Sequence, residues 1–188
     1  MSLTSRSIVI DRLEKRVGSQ NCSIAFIYFD SQDQQHQTAL NVFASLLKQL
    51  AVRSKQKSPT LIDMYSQHQA RGTLPSFTEL SDCIESVCTL VSTSFIILDA
   101  LDECEESVRC KVLQELGRIK CKSVKVLATG RPHILGLENF KFSLTLQVKA
   151  DIHDLRHYLE KKLAQTTLEN MELKEQIVND LSKKADGL

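Results

Sequence analysis

Short runs of apolar residues alternate with longer stretches of helical period along most of this chain, and from about residue 150 the helical period continues alone. Ile8, Leu13 and Val17, set among Asp11, Arg12, Glu14, Lys15 and Arg16, predict an amphipathic helix. Gly18 ends it, because glycine tolerates the left-handed cap. Residues 23–29 (SIAFIYF) are apolar almost throughout, which predicts a strand covered on both faces. After the polar loop DSQDQQHQ, Leu40, Phe43, Leu47 and Leu50 share one face of a helix over residues 38–53. A basic break at 55–59 precedes a helical stretch at 61–69, and RGTLPS turns the chain. Ser76 and Glu79, three apart, form a capping box for a helix over 77–91.

The second clear strand is 95–98, followed by a helix over 106–119 that carries Val108, Val112, Leu113 and Leu116. Residues 124–128 predict a third strand and 144–148 a shorter fourth. Helices over 152–164, with Leu155, Leu159 and Leu163 in register, and over 168–185 complete the chain. Strands alternating with helices predict an α/β fold built on a parallel sheet. The expected division is an α/β domain over 1–149 and a helical segment over 150–188. No internal repeat or low-complexity segment interrupts the pattern.

Composition narrows the functional classes. The length of 188 residues suits one domain, and 42% apolar residues suffice for a core. A net charge of +1 gives no electrostatic reason to expect nucleic acid or an anionic membrane as partner. No apolar run reaches the roughly 18 residues of a spanning helix, and MSLTSRSIVIDRLEKR is not a signal peptide, so a cytoplasmic protein is expected. The six cysteines form no CxxC pair, which favours reduced thiols packed as small apolar side chains.

Candidate chemistry gathers in one segment. Residues 95–104 read FIILDALDEC: four apolar residues make a buried strand, and Asp99 stands where it runs out. Open parallel sheets bind ligands at the carboxyl ends of their strands. Asp99, Asp102 and Glu103 would repel one another unless a cation or proton relieves them, and magnesium carrying a phosphate is a natural relief. In such a site one acid holds the metal and a nearby one orients or deprotonates water. The plainer account is a strand that happens to end in Asp, with Glu103, Glu105 and Glu106 as a solvated helix start favoured by the helix dipole. A calcium loop does not fit, since Leu101 occupies a ligand position and Cys104 replaces the required glycine. Residues 124–132 (VKVLATGRP) add a strand followed by Thr129 and Arg131. These could contact a γ-phosphate and offset its developing charge, or simply cap a strand and decorate a turn. His153 and His157 are four apart on a helix and could ligate a metal, but with no third ligand in view a solvated helix face is the better account.

Taken together, FIYFD, the LLKQL helix, FIILDALDEC, LATGRP and ADIHDLRHYL…KKADG resemble a fungal NACHT, or nephrocystin-like, NTPase domain of the STAND class of signalling ATPases. The resemblance implies a three-layer P-loop NTPase-like parallel sheet with a C-terminal helical extension. It implies Asp99 as the magnesium-associated Walker B acid, Asp102 and Glu103 as further acids, one of them the base for water, and Thr129 and Arg131 at the sensor position. It also implies Mg2+ with ATP or GTP as cofactors of the parent family, self-association, and a winged-helix region beyond residue 188.

Two departures qualify that resemblance. Gly130 stands where the family usually has Ser, and no GxxxxGK[ST] occurs anywhere in the chain. The glycines at 18, 72, 117, 130, 136 and 187 form no phosphate-cradling cluster. The expectation is therefore a module with Walker B and sensor elements but no Walker A, which binds and hydrolyses no nucleotide by itself and meets nucleotide only if the loop is supplied elsewhere. The strand that feeds such a loop would be missing too, and each sheet donor or acceptor left unsatisfied costs about 1–3 kcal/mol. Either strand 144–148 closes against 124–128, or the sheet has a gap there. Truncation at both ends would suit a gene fragment or an excised remnant. The competing reading is a degenerate, non-catalytic interaction scaffold of the same fold. An unrelated α/β enzyme finds little support, for want of GxSxG, HExxH or Rossmann glycines.

Overall fold

A computed structural model describes residues 8–17, 21–54, 56–131, 134, 137, 140–141, 144–147, 151–166 and 170–185. The caps of its helices follow from local chemistry. Helix α1 (Ile8–Val17) precedes strand β1 (Cys22–Tyr28), and the expected cap at Gly18 lies outside the described residues. Helix α2 (Ala39–Arg53) starts where Thr38 accepts the amide hydrogen of Asn41. Helix α3 (Pro59–Arg71) starts at Ser58 with proline in the first turn, where no amide hydrogen is needed, and ends at Gly72 with φ 62°. Helix α4 (Phe77–Thr89) has the expected capping box, with Ser76 and Glu79 each serving the other's amide.

Strand β2 (Thr93–Asp99), a single 3-10 turn (Leu101–Glu103), helix α5 (Glu106–Leu116) and strand β3 (Val124–Ala128) follow in order. Among the described residues the sheet has three strands, all parallel, in the order β1-β2-β3. Pairing runs from Cys22 opposite Thr93 to Tyr28 opposite Asp99, and from Ser94 opposite Val124 to Leu98 opposite Ala128.

Strand alternation divides the core in two. Ala25, Ile96 and Leu98 point to the face where Phe43, Leu46 and Leu50 of α2, Ile84 and Val87 of α4, and Val112 and Leu113 of α5 are packed. Ile24 and Ile97 point to the other face and meet Ile10 of α1, with Leu13, Phe26 and Phe95 around them. Helices on both faces of a parallel sheet make the three layers of an α/β fold, as the alternation of strand and helix predicts.

Strand β3 ends the described sheet. Val124, Val126 and Ala128 join the larger core, while Lys125 and Leu127 are exposed. A hollow of about 290 Å³ lies beside them, lined by Leu13, Phe95, Ile97, Lys125 and Leu127 among others. The expected fourth strand is not there: residues 144–147 form no strand, and Leu144 and Leu146 are 70% and 75% exposed. Val148 lies outside the described residues. The alternation in LTLQ satisfies the local pattern of a strand, but a strand also needs a neighbouring edge, which local pattern does not encode.

The chain divides into two compact units, Met1–Ser143 and Leu144–Leu188. The second contains helices α6 (Ile152–Ala164) and α7 (Met171–Ala185), packed on each other. His153 and His157 are both exposed on α6, in keeping with a solvated face. All six cysteines are free thiols, and Cys83, Cys88 and Cys104 are buried. No helix among the described residues is long and apolar enough to cross a membrane.

Candidate functional site

The carboxyl ends of the three strands bring Asp99 beside Thr129 and Asp102 beside Arg131. Phe29 donates its amide hydrogen to the Asp99 carbonyl at 3.0 Å, and Thr129 donates its own to Leu98 at 2.9 Å, so the strand tips stay paired beyond the regular ladder. Between them the chain turns at Ala100, which takes φ 55° and ψ 48°. Among the described residues it alone, apart from glycine, has positive φ. That conformation is unfavourable for a residue with a Cβ and persists only where surrounding bonds enforce it.

Thr129 supplies those bonds. Its hydroxyl accepts the Ala100 amide hydrogen at 3.1 Å and donates to Asp99 Oδ1. Its carbonyl accepts the Leu101 amide hydrogen at 2.8 Å. Thr129 thus clamps the turn after β2, and the expected adjacency of Thr129 to the first acid is observed.

Asp102 and Arg131 are also adjacent. Arg131 Nε lies 3.2 Å from Asp102 Oδ2, and the Arg131 amide donates to Oδ1 at 3.2 Å. The guanidinium side is open, with the Arg131 side chain 83% exposed against 15% for Asp102. A Cβ built at Gly130 would meet the amide nitrogen and Oδ1 of Asp102 at an ordinary 3.4 Å and would press only on the tip of Ile134, at 3.1 Å.

Glu103 faces a different way. Its Oε2 accepts the Ser31 amide hydrogen at 3.2 Å, and its carbonyl accepts from Gln34 Nε2 at 3.4 Å. These bonds tie the loop after β1 to the 3-10 turn. The three acids therefore do not converge. Among the described residues no group of three or more His, Cys, Asp or Glu side chains is placed to share a metal ion. The repulsion expected of three neighbouring acids is already moderated by a hydroxyl on Asp99, an arginine on Asp102 and a backbone amide on Glu103. Asp99 itself still suits a hydrated divalent cation, which needs only one or two protein carboxylates.

Other groups here carry less chemistry. Glu105 accepts the Ser107 hydroxyl at 2.6 Å and Glu106 sits in the first turn of α5, as a solvated helix start would. Burial pushes the Cys104 thiol up to about 11, with Arg109 acting the other way, so at neutral pH it is no nucleophile. Asp30, two residues past β1, caps its own loop by accepting the Gln32 amide hydrogen at 2.8 Å. An acid just beyond the apolar run of β1 echoes Asp99 at the end of β2, and this pattern is visible in FIYFD. The roles of Ser31, Gln34 and Arg109 carried no such local mark.

A family profile described as Nephrocystin 3, N-terminal, matches residues 3–131. That span is more than half of the chain and contains Asp99, Asp102, Glu103, Thr129 and Arg131. No curated protein matches the chain.

Proposed function

Since the chain belongs to the nephrocystin-3 N-terminal family, we propose that it carries the acid and sensor elements of a NACHT-type nucleotide switch and hydrolyses no ATP or GTP by itself. One observation carries the reading: Thr129 and Asp99 meet by a direct hydrogen bond at the tips of adjacent parallel strands. That is where open α/β sheets place ligands.

In this reading Asp99 would hold magnesium, and Thr129, bonded to the Asp99 carboxylate, would orient it and report on the ligand. A bound magnesium ion would supply positive charge against the phosphates. Arg131 offsets charge on the terminal phosphate once it leaves Asp102, for which its exposed guanidinium has room. Asp102, once Arg131 leaves it, or Glu103, whose carboxylate accepts the Ser31 amide hydrogen, orients water. What the 188 residues do not fit is the triphosphate, since no glycine cluster or Walker A lysine is present to grip it.

The test is a magnesium titration followed by amide NMR, with calorimetry for Mg·ATP. Millimolar MgCl2 is expected to move the amides of Ala100 and Thr129 in the wild type and not in Asp99→Asn. Calorimetry is expected to show no micromolar Mg·ATP binding. Micromolar affinity that disappears with Asp99→Asn would overturn the claim of inactivity. Silence at Asp99 under magnesium would overturn the metal reading and leave the non-catalytic scaffold, which the missing phosphate cradle favours.

A further inference from the structure

The turn that carries Asp102 and Glu103 is held from beneath by a buried arginine. Arg109, on the first turns of α5, is only 6% exposed. Its Nη1 donates to the Cys104 carbonyl at 2.7 Å and reaches the Leu101 carbonyl at 3.4 Å. Those carbonyls lie at the start of the 3-10 turn and at its cap. Leu101 is fully buried, which anchors the turn to the core, while Asp102 and Glu103 between the two carbonyls point to the strand tips.

Burying a permanently charged guanidinium is costly unless its donors are satisfied. A leucine or methionine at position 109 would fill the space without that cost. A charged nitrogen does what an apolar chain cannot: Nη1 bonds the Cys104 carbonyl and lies within reach of the Leu101 carbonyl, tying the two ends of the turn to one point. A helix beginning at Glu106 needs neither carbonyl for its own ladder, so the cost is not explained by α5 alone.

We propose that Arg109 is a positioning residue, which sets the geometry of the Asp102–Glu103 turn against Thr129 and Ser31. The site's function rests on the reading above, but the positioning role is separable from it. In the absence of Arg109 the turn loses its inner support while the strands and their ladder persist.

Hydrogen exchange of the full chain tests this. In Arg109→Met the amides of Leu101, Glu103 and Cys104 are expected to exchange about tenfold to a hundredfold faster, the scale of a hydrogen bond to a charged group. Amides of Ile97 and Leu113 in the core should change far less. Arg109→Lys, which keeps a charged donor nitrogen on a side chain of different reach and shape, should give a smaller rise at the same three amides. If exchange rises equally at the turn and the core in both variants, or at the turn in neither, the proposal is overturned. Should Arg109→Met fail to fold, the Arg109→Lys comparison of turn with core decides alone. The magnesium response at Asp99 is read in the same samples. Its absence from the wild type would sink the metal reading without touching the exchange result.

Discussion

The hydroxyl of Thr129 accepts the amide hydrogen of Ala100 at 3.1 Å, across the tips of neighbouring strands. Through this bond a residue with a Cβ is kept in a left-handed conformation beside Asp99. The position of the acid at the head of the site therefore depends on a residue 30 positions further along the chain.

Replacing Thr129 by valine keeps the volume and removes the hydroxyl from both Ala100 and Asp99. A net loss of about 1 kcal/mol is expected, which lowers Tm by about 2–4 °C for a chain of this size. Thr129→Ser should retain most of the wild-type value. Calorimetric melts compare the three proteins, and an unchanged valine variant would show that the clamp contributes nothing.

Ala100→Gly should stabilise the protein. The left-handed conformation costs a residue with a Cβ about 1–2 kcal/mol, and the added freedom of glycine in the unfolded chain returns about 0.5–1 kcal/mol of that. A net gain of up to about 1 kcal/mol is expected in urea unfolding. Ala100→Val, with a branched Cβ at the same φ of 55°, should lose stability instead.

The Glu79 carboxylate is held down to about 2 by hydrogen bonds from the Ser76 side chain and backbone, and then by His68. Its folded value lies below its ordinary value of 4.5, so the stability it contributes is complete above about 4.5 and is lost as pH falls toward 2. Acid titration of the urea midpoint should show a steeper decline between those limits in the wild type than in Glu79→Gln. Parallel curves would mean that the capping box at α4 has no linkage to protons.

Arg131→Gln should leave stability within about 1 kcal/mol of the wild type, because an ion pair whose arginine is 83% exposed is largely offset by solvent. A larger loss in chemical unfolding would show that Arg131 props the turn, rather than waiting at the rim of the site.

The elements and the acid-bearing strand tip were legible in the chain because their causes are local. Helical period, the Ser76–Glu79 capping box and an apolar run ending in Asp99 depend on neighbours a few positions away. The family resemblance rested on the same segments, and the matched span over residues 3–131 contains all five candidate residues. The placement of Thr129 beside Asp99 was foreseen because it needs only that the two strands be adjacent.

Tertiary structure decided the rest. It set Glu103 against Ser31, 72 positions earlier, and put Arg109 under the turn. It brought both the amide and the side chain of Arg131 onto Asp102. It also left residues 144–147 without a strand although their alternation is right, and made β3 the last strand of the described sheet. A pattern of apolar and polar residues says which way side chains must point; which backbone lies alongside, and which donor meets each carboxylate, is settled only when distant segments pack into one core.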